Sequence, residues 1–195
     1  MELASVDLMI YGGAQSGIWG KIILEHYRKL KIIAIEANPY VFVHYFPKLS
    51  NCFTSYINAA LSNRSGTTNI YFPRTKVNSS KIHRIDRFVF RKYHKDQTRA
   101  RESWRTDASM HLDMLTGEIN NSQLVSILVP RLRVKDLIVD ASRVLLFLDL
   151  QGEDFSVMES LEVETLEKIS LLYFEVENIE NSKLRRKHYS AVMKK

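Results

Sequence analysis

The chain has 195 residues, of which 45% are hydrophobic and 26% charged, the composition of a globular domain. Seven glycines and four prolines are too few for a collagenous or low-complexity chain. A single cysteine, Cys52, excludes an internal disulfide and any multi-cysteine zinc site. The longest apolar runs, such as Val144–Leu148, fall far short of the ~20 residues that a membrane-spanning helix needs. Asp7 interrupts the first hydrophobic stretch, so no secretory leader is expected, and the expected location is cytoplasmic.

The net charge of +6 is localised. From Arg74 to Arg105 there are eleven Lys or Arg against Asp86, Asp96 and Glu102, a balance of +8, which leaves −2 for the remainder. The expectation is one domain over residues 1–195, interrupted by a basic insertion at about 74–123.

In chain order, Val6–Tyr11 is an apolar run of strand length. Four of the seven glycines (Gly12, Gly13, Gly17 and Gly20) follow within nine residues, which marks a turn. Ile18–Leu30 carries Ile18, Trp19, Ile22, Ile23, Tyr27 and Leu30 at near-helical spacing. Lys31–Glu36 is almost continuously apolar, as a parallel strand covered on both faces would be, and it ends in an acid. Strand, glycine turn, helix and strand make a βαβ unit.

Asn38-Pro39 predicts a helix start, with Asn38 as cap and Pro39 in the first turn, and the helix should run to about Leu49. Phe53–Ala60 is the next strand candidate, Ser62–Gly66 a turn, and Thr67–Phe72 a further strand. Within the basic window one short helix is expected around Ile82–Tyr93. Leu124–Val129 reads as a strand and Arg133–Val139 as a short helix. Val144–Leu150 is the most apolar strand, Phe155–Ile169 is helical with a break near Glu162, and Leu171–Val176 is a last strand. The fold class is therefore α/β, a mostly parallel sheet with helices on both faces.

In such sheets ligands gather outside the carboxyl ends of the strands. Those ends here are the glycine turn, Glu36, Asn58-Ala59-Ala60, Asp149 and Glu175. A glycine turn opening a helix exposes backbone N–H donors, and an acid ending the second strand can accept both hydroxyls of a ribose. Glu36 stands 23 residues after Gly13, close to the ~20 expected of such a pair. Gly12–Gly17 does not match G-x-G-x-x-G, because its third position is Ala14, which argues against a nicotinamide cofactor. The plainer reading is a tight turn followed by a solvated strand end.

Gly13-Ala14-Gln15-Ser16-Gly17, Ile35–Pro39, Asn58–Ser62 with Gly66 and Tyr71-Phe72, Leu148–Asp154 and Tyr173–Glu177 occur in the order that resembles the FkbM-type methyltransferases. The resemblance covers roughly residues 6–73 and 127–178. It implies a Rossmann-like class I methyltransferase fold with S-adenosylmethionine as cofactor. By it, Gly13, Ala14, Gln15 and Gly17 would line the methionine part, and Glu36 would bind the ribose with Ala37 and Asn38 beside it. Asn58, Ala59 and Ala60 would lie near the adenine, and Asp149 would be the catalytic residue beside the transferred methyl. The implied reaction is O-methyl transfer to a small-molecule or carbohydrate-like acceptor.

The chain departs from the family pattern at four places. Tyr11 stands where an acid is usual, Phe147 where a lysine is usual, Gln151 replaces an acid, and Asp154 shortens a glutamate. The neutral residues Tyr11, Phe147 and Gln151 favour a second reading, a methyltransferase-fold protein without catalysis that acts in binding or assembly. The family's C-terminal strand pair is expected to be missing, which would leave Leu171–Val176 as an apolar edge and give a reason to form a homodimer.

The basic window interleaves its cations with Phe88, Phe90, Tyr93 and Trp104, the composition of a surface for RNA or another anionic substrate, or else of a solvated loop. His83, His94 and His111 have no metal-ligand spacing, and no metal is expected.

Overall fold

The computed structural model describes residues 3–73, 124–150 and 152–174. The helix expected at 82–93, the basic window, Gln151 and everything from Glu175 onward lie outside those residues, and with them the expected loss of a terminal strand pair. Two compact units are present, one of Met1–Thr68 with Val129–Lys195 and one of Asn69–Leu128.

The first unit is built on a five-stranded parallel sheet. Its strands are β1 (Leu8–Gly12), β2 (Lys31–Glu36), β3 (Ser55–Asn58), β7 (Val144–Leu148) and β8 (Ile169–Phe174), in the order β3-β2-β1-β7-β8. From β1 the chain moves outward to β2 and β3 on one side, and later returns to lay β7 and β8 on the other. That is the doubly wound arrangement, with its topological switch point between β1 and β7. A smaller sheet of β4 (Ala60–Leu61), β6 (Leu124–Leu132) and β5 (Gly66–Pro73) has the order β4-β6-β5. The second unit's described residues are the parts of β5 and β6 at 69–73 and 124–128, with Ile70 buried.

Alternation along the strands sends side chains to two separate cores, one on each face. Leu8 and Ile10 of β1, Ile35 of β2, and Val144, Leu146 and Leu148 of β7 face one core. There they meet Val134 of α3 (Val134–Leu137), Val157 and Met158 of α4 (Asp154–Glu159), and Leu166 of α5 (Val163–Lys168). Met9, Tyr11, Ile32, Ala34, Leu145 and Phe147 face the other. That core is closed by Ile23 and Leu24 of α1 (Ile18–His26) and by Phe42, Tyr45 and Leu49 of α2 (Pro39–Leu49). Helices therefore cover both faces, as the continuous apolar character of β1, β2 and β7 requires.

Local chemistry places several boundaries. Asn38 Oδ1 accepts the N–H groups of Tyr40 and Val41, so α2 begins where the Asn-Pro pair predicts and ends at Leu49. The helical stretch expected over Phe155–Ile169 is broken between Glu159 and Val163, around Glu162 as expected. Asp7, the acid that interrupts the first apolar run, accepts N–H groups from Ser142 and Arg143 and so ties the start of β1 to the turn before β7.

Three expectations shift. α1 stops at His26 rather than Leu30, because Tyr27 leaves helical geometry and Leu30 turns into the core to start β2. The single strand expected over 53–60 is two, since the β2 ladder ends at Asn58 and Ala60-Leu61 pairs instead with Arg131-Leu132. β8 begins at Ile169, two residues before the expected start, and skips one residue against β7 between Val144 and Leu145. That bulge brings Tyr173 level with Phe147. Leu172 and Tyr173 are exposed on β8, the last strand in the sheet order among the described residues.

Leu146 is fully buried at the centre of the sheet. Urea denaturation of Leu146→Ala should show a loss of about 2–5 kcal/mol in unfolding free energy. Val139→Ala, at a position 67% exposed, should change it by less than about 0.5 kcal/mol.

Candidate functional site

The carboxyl ends of β1, β2, β3 and β7 converge on Glu36. This side chain is only 6% exposed, and its two oxygens are held by different segments. Oε2 accepts the Gln15 N–H at 2.8 Å, and Oε1 accepts the Asn38 N–H at 2.7 Å. The glycine turn and the start of α2 are therefore bound to the same carboxylate. Asn58, level with Glu36 on β3, donates from Nδ2 to the backbone carbonyls of Glu36 at 2.8 Å and Ala37 at 3.2 Å. The Ala59 N–H also donates to the Glu36 carbonyl.

The turn itself is tightly determined. Gln15 has φ 43°, a left-handed conformation unusual for a residue with a side chain. Its peptide groups are clamped on both sides: the N–H by Glu36, and the carbonyl by the Tyr56 hydroxyl, which donates to it at 3.1 Å. The neighbouring Ala14 is fully buried and donates its N–H to the Ile35 carbonyl. Gly13, at φ 70°, has no room for a side chain, because a Cβ there would lie 1.9 Å from the Asp149 carbonyl oxygen. The close approach that glycine permits at this position is made by β7's own backbone. Gly17 is used in the same way, against Leu49 and Phe53.

Beyond the switch point, Asp149 is half-buried and donates its N–H to the Gly12 carbonyl, continuing the β1–β7 ladder. Asp154, only 4% exposed, takes the Leu150 N–H on its carboxylate at 3.2–3.3 Å and so holds the turn that carries Asp149.

Burial dominates the electrostatics. It pushes the Glu36 carboxyl up to about 7, against the pull of its two backbone N–H donors, and the Asp149 charge adds to the rise. Burial also raises Asp154, to about 6, with the Leu150 N–H opposing and Asp149 adding. The Tyr11 phenol is raised first by burial and next by Asp149. Asp149 thus contributes to the rise of all three groups around it.

Tyr11 and Phe147 are register partners on β1 and β7, and their rings meet edge to face at 5.1 Å. Phe147 in turn stacks on Tyr173 at 4.2 Å. These rings form an aromatic ladder across three strands, just before the strand ends.

Of the residues singled out in the sequence, Gln15, Glu36, Ala37, Asn38, Asn58 and Ala59 form one hydrogen-bonded knot, and Gly13 meets Asp149 beside it. Ala60 is drawn away into β4. Sequence reasoning missed Tyr56 as the second clamp on Gln15. The only available signal was the alternation of β3, which sets Tyr56 on the opposite face from Ile57. Among the described residues, no group of three or more His, Cys, Asp or Glu is arranged to hold a metal ion, and no helix is long and apolar enough to cross a membrane. Comparison with protein-family models, with curated proteins and with solved structures gives no match to this chain.

Because Glu36 and Asp154 bind protons more tightly in the folded chain than in the unfolded one, their contribution to stability is fully present in acid. It declines as pH rises from about 4 toward 7. For Glu36 the decline is on the order of 3 kcal/mol. Denaturation curves recorded between pH 4.5 and 7.5 should show this slope, and Glu36→Gln, which cannot ionise, should flatten it.

Proposed function

We propose that this chain binds S-adenosylmethionine at the β1–β7 switch point and transfers a methyl group to a hydroxyl oxygen of a small-molecule or carbohydrate-like acceptor. The reading joins the resemblance to FkbM-type methyltransferases with one observation, the buried Glu36 carboxylate at the end of β2. Among the described residues, each of its oxygens accepts a single backbone N–H. A carboxylate has about four acceptor positions, so each oxygen keeps one for a ribose hydroxyl. The donor set fits the group.

S-adenosylmethionine bound here would supply an electrophilic methyl carried on a sulfonium. The chain's own contribution is alignment and a proton acceptor. Glu36 would hold the ribose of that cofactor, while the Gln15 and Asn38 N–H groups keep the carboxylate from rotating. Asp149, fixed by its N–H bond to Gly12 and by the Asp154-held turn, accepts the acceptor's hydroxyl proton as the new C–O bond forms. As the acceptor oxygen took the methyl that the bound cofactor would supply, its proton would pass to Asp149, so the step would balance. The basic composition of Arg74–Arg105, which lies outside the described residues, would favour an anionic acceptor or RNA.

The departures at Tyr11 and Phe147 weigh less against catalysis than they do as separate losses. The two positions are cross-strand partners whose rings meet edge to face, so the acid and the lysine that the resemblance implies there would be replaced as a pair. Such an exchange leaves the net charge near Asp149 unchanged. The alternative remains a non-catalytic protein of the same fold that works by binding.

Calorimetric titration should give saturable binding of S-adenosylmethionine, weakened at least about tenfold in Glu36→Ala by loss of the charged hydrogen bonds. Asp149→Asn should keep cofactor affinity within a few-fold while methyl transfer to a panel of polyols and sugars falls about a hundredfold or more. Absence of binding at millimolar cofactor would overturn the reading. Binding without transfer to any acceptor would favour the non-catalytic one.

A further inference from the structure

More than half of the large apolar side chains exposed among the described residues sit on α1 and α2 or in the turn after α1. On α1 they are Ile18 (56% exposed), Trp19 (51%) and Ile22. On α2 they are Tyr40, Val43 (68%) and Phe46, spaced three residues apart along one helix face. Both helices lie on the same side of the sheet, where their inner faces close one core. They also meet: a Cβ on Gly17, at the start of α1, would come within 2.7 Å of Leu49, at the end of α2.

The exposed charges along this stretch of the chain are mostly positive. Between Ile18 and Ser50 the cations are Lys21, Arg28, Lys29, Lys31 and Lys48, while the acids are Glu25 and the buried Glu36. α2 carries no acid at all. Arg28, Lys29, Lys31 and Lys48 are exposed.

We propose that the outer face of α1 and α2 docks on an anionic lipid membrane, with Ile18, Trp19, Ile22, Val43 and Phe46 entering the interface and the surrounding lysines and arginine meeting the headgroups. Apolar and aromatic side chains bordered by cations are the pattern of a helix that lies in the interface plane rather than spanning it. Tyrosine and tryptophan suit the headgroup level, and long basic side chains reach outward to it. Self-association through the same face would oppose cations to cations with Glu25 as the one exposed acid, so charge disfavours a second copy. The face shares no side chain with the cofactor site and does not depend on that reading.

The chain has two tryptophans, so in a Trp104→Phe background Trp19 reports alone. Vesicles of phosphatidylcholine with phosphatidylserine should shift its emission to the blue and carry the protein in flotation, and vesicles of phosphatidylcholine alone should bind much less. High salt should release it. Val43→Glu and Ile22→Glu, both at exposed positions, should each weaken partitioning at least about tenfold with unchanged unfolding midpoints. An unshifted Trp19, or vesicle binding that survives both substitutions, would overturn the proposal. So would a concentration-dependent dimer in sedimentation that Val43→Glu dissociates, because the face would then serve a second copy of the chain.

Discussion

A carboxylate at 6% exposure needs donors, and among the described residues those of Glu36 are backbone N–H groups of two segments that would otherwise be independent. Charge-assisted bonds of this kind contribute about 1.5–3 kcal/mol each, and losing one would leave a desolvated acceptor. The glycine turn therefore cannot move without disturbing the start of α2. The left-handed backbone of Gln15 is sustained by that bond and by Tyr56 from β3. Strain held by several surrounding elements is a feature of binding sites, and here it falls at the strand ends where an α/β sheet takes its ligands.

The second dependence runs through the β1–β7 pair. Gly13 is pressed against the Asp149 carbonyl, and the Asp149 N–H returns to Gly12. The switch point is thus a direct backbone contact, and the side chain of Asp149 projects from a rigid base. Behind it, the ladder Tyr11–Phe147–Tyr173 spans β1, β7 and β8. The bulge in β8 is what brings Tyr173 into that row; without the skipped residue, side-chain alternation would send it to the opposite face.

Electrostatically the site is a small acidic group in a chain whose net charge is positive. The Asp149 charge adds to the rise in proton affinity of Glu36 and Asp154, with burial the larger cause for both. The two carboxyls that rise are those that fasten loops, and their proton affinities reach into the neutral range. Proton uptake at the site is therefore coupled to how firmly the turns after β1 and β7 are held. On the outer side of α1 and α2 the balance is reversed, with cations around an apolar face.

Much of the fold was legible in the sequence because it depends on local rules. β2 and α2 were read at their observed bounds, since a continuous apolar run and an Asn-Pro start each leave a short-range signal. The glycine turn and the role of Glu36 as a strand-end acid followed from spacing. Only the tertiary structure decided which side chains meet: that Tyr56 clamps Gln15, that Tyr11 and Phe147 are one pair, and that Ala60 leaves the main sheet. It also decided that the glycines accommodate protein atoms. The physical reason is that periodicity tells which face a residue occupies, whereas strand order and register, which join positions 21 to 136 residues apart, arise from packing of the whole sheet.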